Sequence, residues 1–147
     1  MITAQKSKSK VLMASKAHTS SETTTASLDT LGCDYVEIEI NLGIEKNTNA
    51  IGPTIILSEG DTTSSYATWS SSCTITGADG DLAAAKEIRW LIPTSLRKRY
   101  LKLSIATGTA TNDDVTFGSI ARLTRQESAP GSTSDMVSTT NDIVTIF

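Results

Sequence analysis

An all-β fold, an antiparallel sandwich or barrel with an extended N-terminal arm, is what this sequence predicts. Three observations predict it. In Tyr35–Leu42, Val36, Ile38, Ile40 and Leu42 alternate with Tyr35, Glu37, Glu39 and Asn41. Successive strand side chains point to opposite faces, so this stretch has one dry side and one wet side. The segment from Arg97 to Thr107 repeats the pattern, with Leu101, Leu103 and Ile105 inward and Tyr100, Lys102 and Ser104 outward. The chain is also rich in Ser and Thr and shows no helical period. These side chains compete with helical backbone bonds, and Thr also favours strands.

The elements follow in order. Residues Met1–Ser27 carry Lys, Ser and Thr without a core-forming pattern, so we read 1–27 as an arm, ordered only where it docks. Asp29-Thr30-Leu31-Gly32 reads as a turn, where Asp bonds locally and Gly takes positive φ. The body, 28–125, continues from the Tyr35 strand through a polar loop at Gly43–Gly52. Pro53 opens a short strand, Thr54–Ser58, and Glu59-Gly60-Asp61 punctuates. Tyr66–Thr76 is a further strand and Gly77–Asp81 a tight turn. Ala83–Glu87 makes a brief helical turn before a strand at Ile88–Ile92, which Pro93 ends and which places Trp90 in the core. After Tyr100–Thr107 and a loop at Gly108–Asp114 comes Val115–Thr124. Gly118 breaks its alternation, which predicts a bulge or the close approach of another backbone. The segment 126–147 is a linker, Ser128–Ser134, and a C-terminal strand, Asp142–Phe147, that pairs within its domain or with a neighbour. Short strands separated by turn signals and wet on one face make a sandwich.

Bulk properties narrow the function. The 147 residues suit one domain with one real core. A net charge of −3 is too small to argue for a nucleic-acid or anionic-membrane partner of the molecule as a whole. The two cysteines, Cys33 and Cys73, are too few for a disulfide framework and are read as free structural thiols, with a single bridge between them as the alternative, and one histidine, His18, makes no metal spacing with them. The apolar run Val11–Ala14 is shorter than the roughly 7–15 residues of a signal peptide. No segment reaches the length of about 18 apolar residues that spans a bilayer. There is no Asn-x-Ser/Thr site. The expectation is a soluble product made in the cytoplasm.

Each place where chemistry could sit has a simpler reading. A hydrolase triad needs a base beside its nucleophile, and His18 stands in the weakly patterned N-terminal zone with no orienting partner, as a solvated or docking residue. Asp61, Asp79, Asp81, Asp113 and Asp114 could ligate Ca²⁺, but Asp and Gly occupy turns for backbone reasons and no spaced calcium loop is present. Glu37 and Glu39 lie about 7 Å apart on one strand face, as glycosidase carboxylates can. Ion pairing on a wet face is the plainer explanation. Arg97-Lys98-Arg99 with Lys102 is the densest basic cluster, yet only Tyr100 interleaves it, where a single-strand surface wants several aromatics. No cofactor, metal or catalytic set is indicated.

The ordered set LDTLGCDYVEIEINLG, PTIILSEGD, RKRYLKLSIATGT and IARLTR, spanning roughly Leu28–Arg125, resembles the decoration, or cement, proteins of tailed-phage capsids. The resemblance implies a jelly-roll-like β-sandwich on the exterior of an icosahedral shell, the major capsid protein as partner, and a homo-oligomer, a trimer in many such proteins. It implies no catalytic residues. The rival is a receptor- or carbohydrate-binding module of a virion fibre. Its sugar site would need exposed aromatics, for which Tyr66, Trp69 and Trp90 are the candidates.

The contact surface is expected at the two ends. Lys6, Lys8, Lys10 and Lys16 make the arm basic on an acidic chain, so it suits an acidic patch on a neighbour. The pairs Val11-Leu12 and Ile146-Phe147 would anchor in partner grooves or extend a partner sheet.

Overall fold

The computed structural model of the chain describes residues 6–43, 53–74, 85–109, 114–125 and 142–146. Its strands are β1 (Lys6–His18), β2 (Thr23–Asp29), β3 (Tyr35–Leu42), β4 (Thr54–Thr62), β5 (Ser65–Thr74), β6 (Lys86–Pro93), β7 (Tyr100–Ala106), β8 (Val115–Arg125) and β9 (Asp142–Ile146). A 3-10 turn, Thr94–Leu96, follows β6. One sheet runs β1-β8-β3-β6-β9 and the other β2-β7-β4-β5. Every pairing is antiparallel except that of β6 with β9. The pairs β1·β8, β2·β7, β3·β6 and β4·β5 are those of one long hairpin rolled upon itself, which is a jelly roll with β9 added outside β6.

The core lies where the alternation puts it. Val36, Ile38, Ile40 and Leu42 of β3 are buried with Ile88, Trp90 and Ile92 of β6. Val115, Phe117, Ala121 and Leu123 of β8 extend that apolar face. Leu101, Leu103 and Ile105 of β7 are buried with Ile55 and Leu57 of β4 and with Trp69 and Leu28. Burial of this many β-branched and aliphatic side chains at about 25 cal/mol per Å² is what offsets the entropy of ordering the strands.

The arm is corrected most. Residues 6–27 are not an extension but belong to the sandwich: β1 pairs along its length with β8, and β2 pairs with β7. Met13 is buried, Leu12 and Ala26 pack against the core, and these contacts fix the segment. The C-terminal strand pairs within its own chain, against β6. The strand opened by Pro53 does not stop at Ser58 but continues through Glu59-Gly60-Asp61 to Thr62, because Gly60 lets β4 and β5 close tightly. A Cβ at Gly60 would stand 2.0 Å from the Ser65 carbonyl oxygen. Lys86 and Glu87 form no helical turn; they open β6 opposite Leu42 and Asn41. The turns expected at Gly77–Asp81 and Ser128–Ser134 lie outside the described residues.

Two local readings hold in detail. The Leu31 amide donates to Asp29 Oδ1 at 3.0 Å, and Gly32 takes a φ of 78°. Gly118 marks a close approach: a Cβ there would meet Ser15 Cα at 2.9 Å. The irregularity lies in the partner strand. β8 runs in unbroken register against β3, while β1 shifts register between Val11 and Met13 and between Met13 and Lys16.

Candidate functional site

The residues expected to make contacts fall on opposite edges of one sheet. β1 and β9 are separated by β8, β3 and β6, about 19 Å at ordinary strand spacing, so they do not form one surface. On β1, Val11 is 63% exposed and stands opposite Ile120, while Leu12 turns toward the core. Lys8 is exposed. Lys10 and Lys16 are engaged inside the chain: Lys10 Nζ donates to the Ser27 carbonyl at 3.0 Å, and Lys16 Nζ pairs with Glu22 at 3.4 Å. Lys6 opens β1 opposite Arg125, and Ile146 stands opposite Leu91 at the end of β9. The side chains of Lys6 and Ile146 lie outside the described part, as does Phe147.

Glu37 and Glu39 face outward from β3, as their alternation requires. Arg122 on β8 bridges them, with Nη1 3.3 Å from Glu37 and 2.9 Å from Glu39. Arg89 on β6 stands opposite Glu39 in register and is bonded to Glu87. The outer face thus carries a ladder of alternating charge across three strands, the cross-strand arrangement that stabilises a sheet. The carboxylates raise the affinity of Arg122 and Arg89 for their protons, chiefly through the charge of Glu37 on the first and the hydrogen bond that the second donates to Glu87. Two carboxylates held by one guanidinium brace β3 against β8.

The basic cluster at the entrance to β7 is likewise matched charge for charge. Arg97 lies 3.8 Å from Glu59, Lys98 2.8 Å from Asp61, and Arg99 2.7 Å from Asp29. The cations also stack on rings. Arg97 sits 4.0 Å over Trp69, Arg99 4.8 Å over Tyr100, and Lys102 4.7 Å over Tyr66. Such contacts are each worth about 0.5–1 kcal/mol at exposed sites. Beside them a shallow cleft of about 280 Å³ is lined by Asp61, Thr62, Ser65, Tyr66, Ala67 and Lys98. The Tyr66 hydroxyl donates to Ser27 Oγ at 3.2 Å, which pins the ring to the sheet.

His18 is neither solvated nor a docking residue. It is 1% exposed and stacks on Phe117 with ring centroids 3.7 Å apart and planes 3° from parallel. Its Nδ1 donates to Glu22 Oε1 at 2.9 Å, and this bond holds the Glu22 carboxyl below its ordinary pKa. Nε2 is buried without a hydrogen-bond partner among the described residues. Nearby, the Thr107 hydroxyl donates to the Thr19 carbonyl at 2.7 Å and accepts from the Glu22 amide at 2.9 Å. The crossover from β1 to β2 is therefore clamped to the end of β7. Sequence reasoning missed this cluster. No local pattern signals it, because β1 opens on Lys and Ser at every position and the partners Phe117 and Thr107 lie far along the chain.

Of the carboxylates considered for calcium, Asp61 is spent on Lys98, and Asp79, Asp81 and Asp113 lie outside the described residues. Among the described residues no three His, Cys, Asp or Glu side chains gather as a metal site. Cys33 is a free thiol whose pKa burial pushes up. The Cys73 side chain is outside the described part. Trp69 and Trp90 are both buried. No described helix is long and apolar enough to cross a membrane.

No protein-family model matches the chain, and no curated protein does. Among solved structures it is similar to the VP2 subviral particle of infectious bursal disease virus, at TM-score 0.48 and 14% identity. That match covers 84% of this chain and 33% of the other, so this chain spans about a third of the viral protein's length. A pilus protein of Bacillus endospore appendages matches at TM-score 0.41 and 12% identity, covering 84% of this chain and 93% of that one. A family GH115 4-O-methyl-alpha-glucuronidase matches at TM-score 0.41 and 15% identity, over 78% of this chain and 16% of that one.

Proposed function

We propose that this chain is a structural virion protein, a decoration protein that binds the exterior of an icosahedral phage capsid and stabilises it. Its partner in this reading is the major capsid protein, and its working form is a homo-oligomer. The observation that supports it is the fate of the charge clusters. Glu37 and Glu39 are closed by Arg122, and Arg97, Lys98 and Arg99 by Glu59, Asp61 and Asp29. A jelly roll that turns its charges into braces offers a rigid surface for contact at many points and does no chemistry there. The resemblance to cement proteins across Leu28–Arg125 points the same way. Several weak contacts to identical shell subunits add up through effective concentration.

The test is sedimentation. Purified protein is mixed at micromolar concentration with capsids lacking it, the capsids are pelleted, and their resistance to heat and low salt is measured. The expected outcome is co-sedimentation with a rise in the disruption temperature. Protein left in the supernatant would overturn the reading and favour a receptor- or carbohydrate-binding module.

A further inference from the structure

A sandwich of two open sheets has four edge strands, and each presents backbone N–H and C=O groups that invite another strand. Three of the four edges here are guarded. β1 breaks its register twice and carries exposed Lys8, Lys10 and Lys16. On β2 the ammonium of Lys10 occupies the Ser27 carbonyl. The pairing of β5 with β4 shifts between Ile56 and Ser58 and again between Glu59 and Thr62. Lysines and bulges of this kind are how natural sheets blunt their edges.

β9 has none of these devices. Its pairing with β6 runs without a shift from Glu87 opposite Asp142 to Leu91 opposite Ile146. Its sequence, Asp142-Ile143-Val144-Thr145-Ile146, has no Lys, Arg or Pro, and after Asp142 every residue is β-branched. Such residues favour strands. Among the described residues no strand pairs with its other side.

We infer that the edge of β9 left unpaired among the described residues pairs antiparallel with β9 of a second copy about a two-fold axis, joining two five-stranded sheets into one. A two-fold interface must be self-complementary. An antiparallel pair of this strand meets that demand with Val144 opposite Val144. Asp142 of each copy then stands opposite Ile146 of the other, so the two acidic positions are about 14 Å apart along the strands. A parallel pair in register would set Asp142 beside Asp142, and like charges directly opposite are destabilising. The inference is independent of capsid binding, since it concerns only copies of this chain in solution.

Single cysteines test it, placed in full-length protein carrying Cys33→Ser and Cys73→Ser. Val144→Cys sits at the centre of the proposed pair. Val11→Cys, at an exposed position on the guarded edge, reports random collision. Unchanged thermal melting establishes that each variant is folded. A held pair of thiols has an effective concentration near the millimolar range, so Val144→Cys should form disulfide dimers about tenfold or more faster than Val11→Cys at micromolar protein. Equal rates, or no dimer, would overturn the inference. A mixture of Arg89→Cys and Val144→Cys proteins separates edge pairing from exchange of β9 between copies. Heterodimers outnumbering Val144→Cys homodimers would mean that β9 of one copy lies on β6 of another, and would overturn it as well.

Discussion

Arg99 grips Asp29 with two parallel hydrogen bonds, Nε to Oδ1 at 2.9 Å and Nη2 to Oδ2 at 2.7 Å, tying the end of β2 to the entrance of β7. The guanidinium holds the Asp29 carboxyl at about 2, below its ordinary 3.8. A carboxyl depressed on folding adds stability above its unfolded pKa and loses it as pH falls through the folded value. Urea midpoints of the parent and of Asp29→Asn should therefore differ at pH 7 and converge as pH falls from about 4 to about 2. The difference at pH 7 is small, because both side chains are nearly half exposed and water screens the pair.

Ile38 and Leu103 are both 1% exposed and lie in opposite sheets of the core. Ile38→Ala or Leu103→Ala should each cost about 2–5 kcal/mol in denaturant unfolding. Variants that unfold like the parent would mean that Glu37 and Glu39 face inward, since a one-residue slip exchanges the faces.

Gly60 and Gly118 are held by space. The Ser65 carbonyl leaves no room for a methyl group at Gly60, and the Ser15 backbone leaves little at Gly118. Gly60→Ala and Gly118→Ala should each destabilise by about 1–3 kcal/mol, Gly60→Ala the more, as read from thermal melting.

Deleting residues 1–20 removes the whole of β1, including the His18 ring that covers Phe117. It leaves β8 without its outer partner. The truncated chain should lose its cooperative thermal transition by circular dichroism. A truncation that melts like the parent would return this segment to the status of an arm.

The strands that were legible in the sequence are those buried on one face along their whole length. β3 and β7 announce themselves because every second residue is aliphatic. β1 and β2 do not, for a physical reason. β1 is an edge strand over the rim of the sandwich, where Lys8 and Lys10 stand opposite Leu123 and Ala121 and their heads reach water. Its inward positions therefore read as polar. β2 shows only Thr24, Ala26 and Leu28 toward the core, and small or hydroxylated residues hide the alternation. Gly118 was read correctly as a close approach, but a single strand cannot say which neighbour bends. The ion pairs were partly legible. Glu37 and Glu39 show their wet face at once, whereas the choice of Arg122 as their partner depends on β8 returning beside β3, which no local pattern encodes. His18 was misread because its stacking partner is 99 positions away in the chain.

The rolled hairpin dictates an order of events in the making of the molecule. β4 and β5 are the only one of the four hairpin pairs that meet across a short turn, while β1 must wait for β8, which is synthesised after β2 to β7. Topologies dominated by such distant pairings fold slowly. The nascent chain therefore has to hold its lysine-rich β1 in water until β8 has emerged. The same charges that guard the finished edge keep that waiting segment from sticking to other chains.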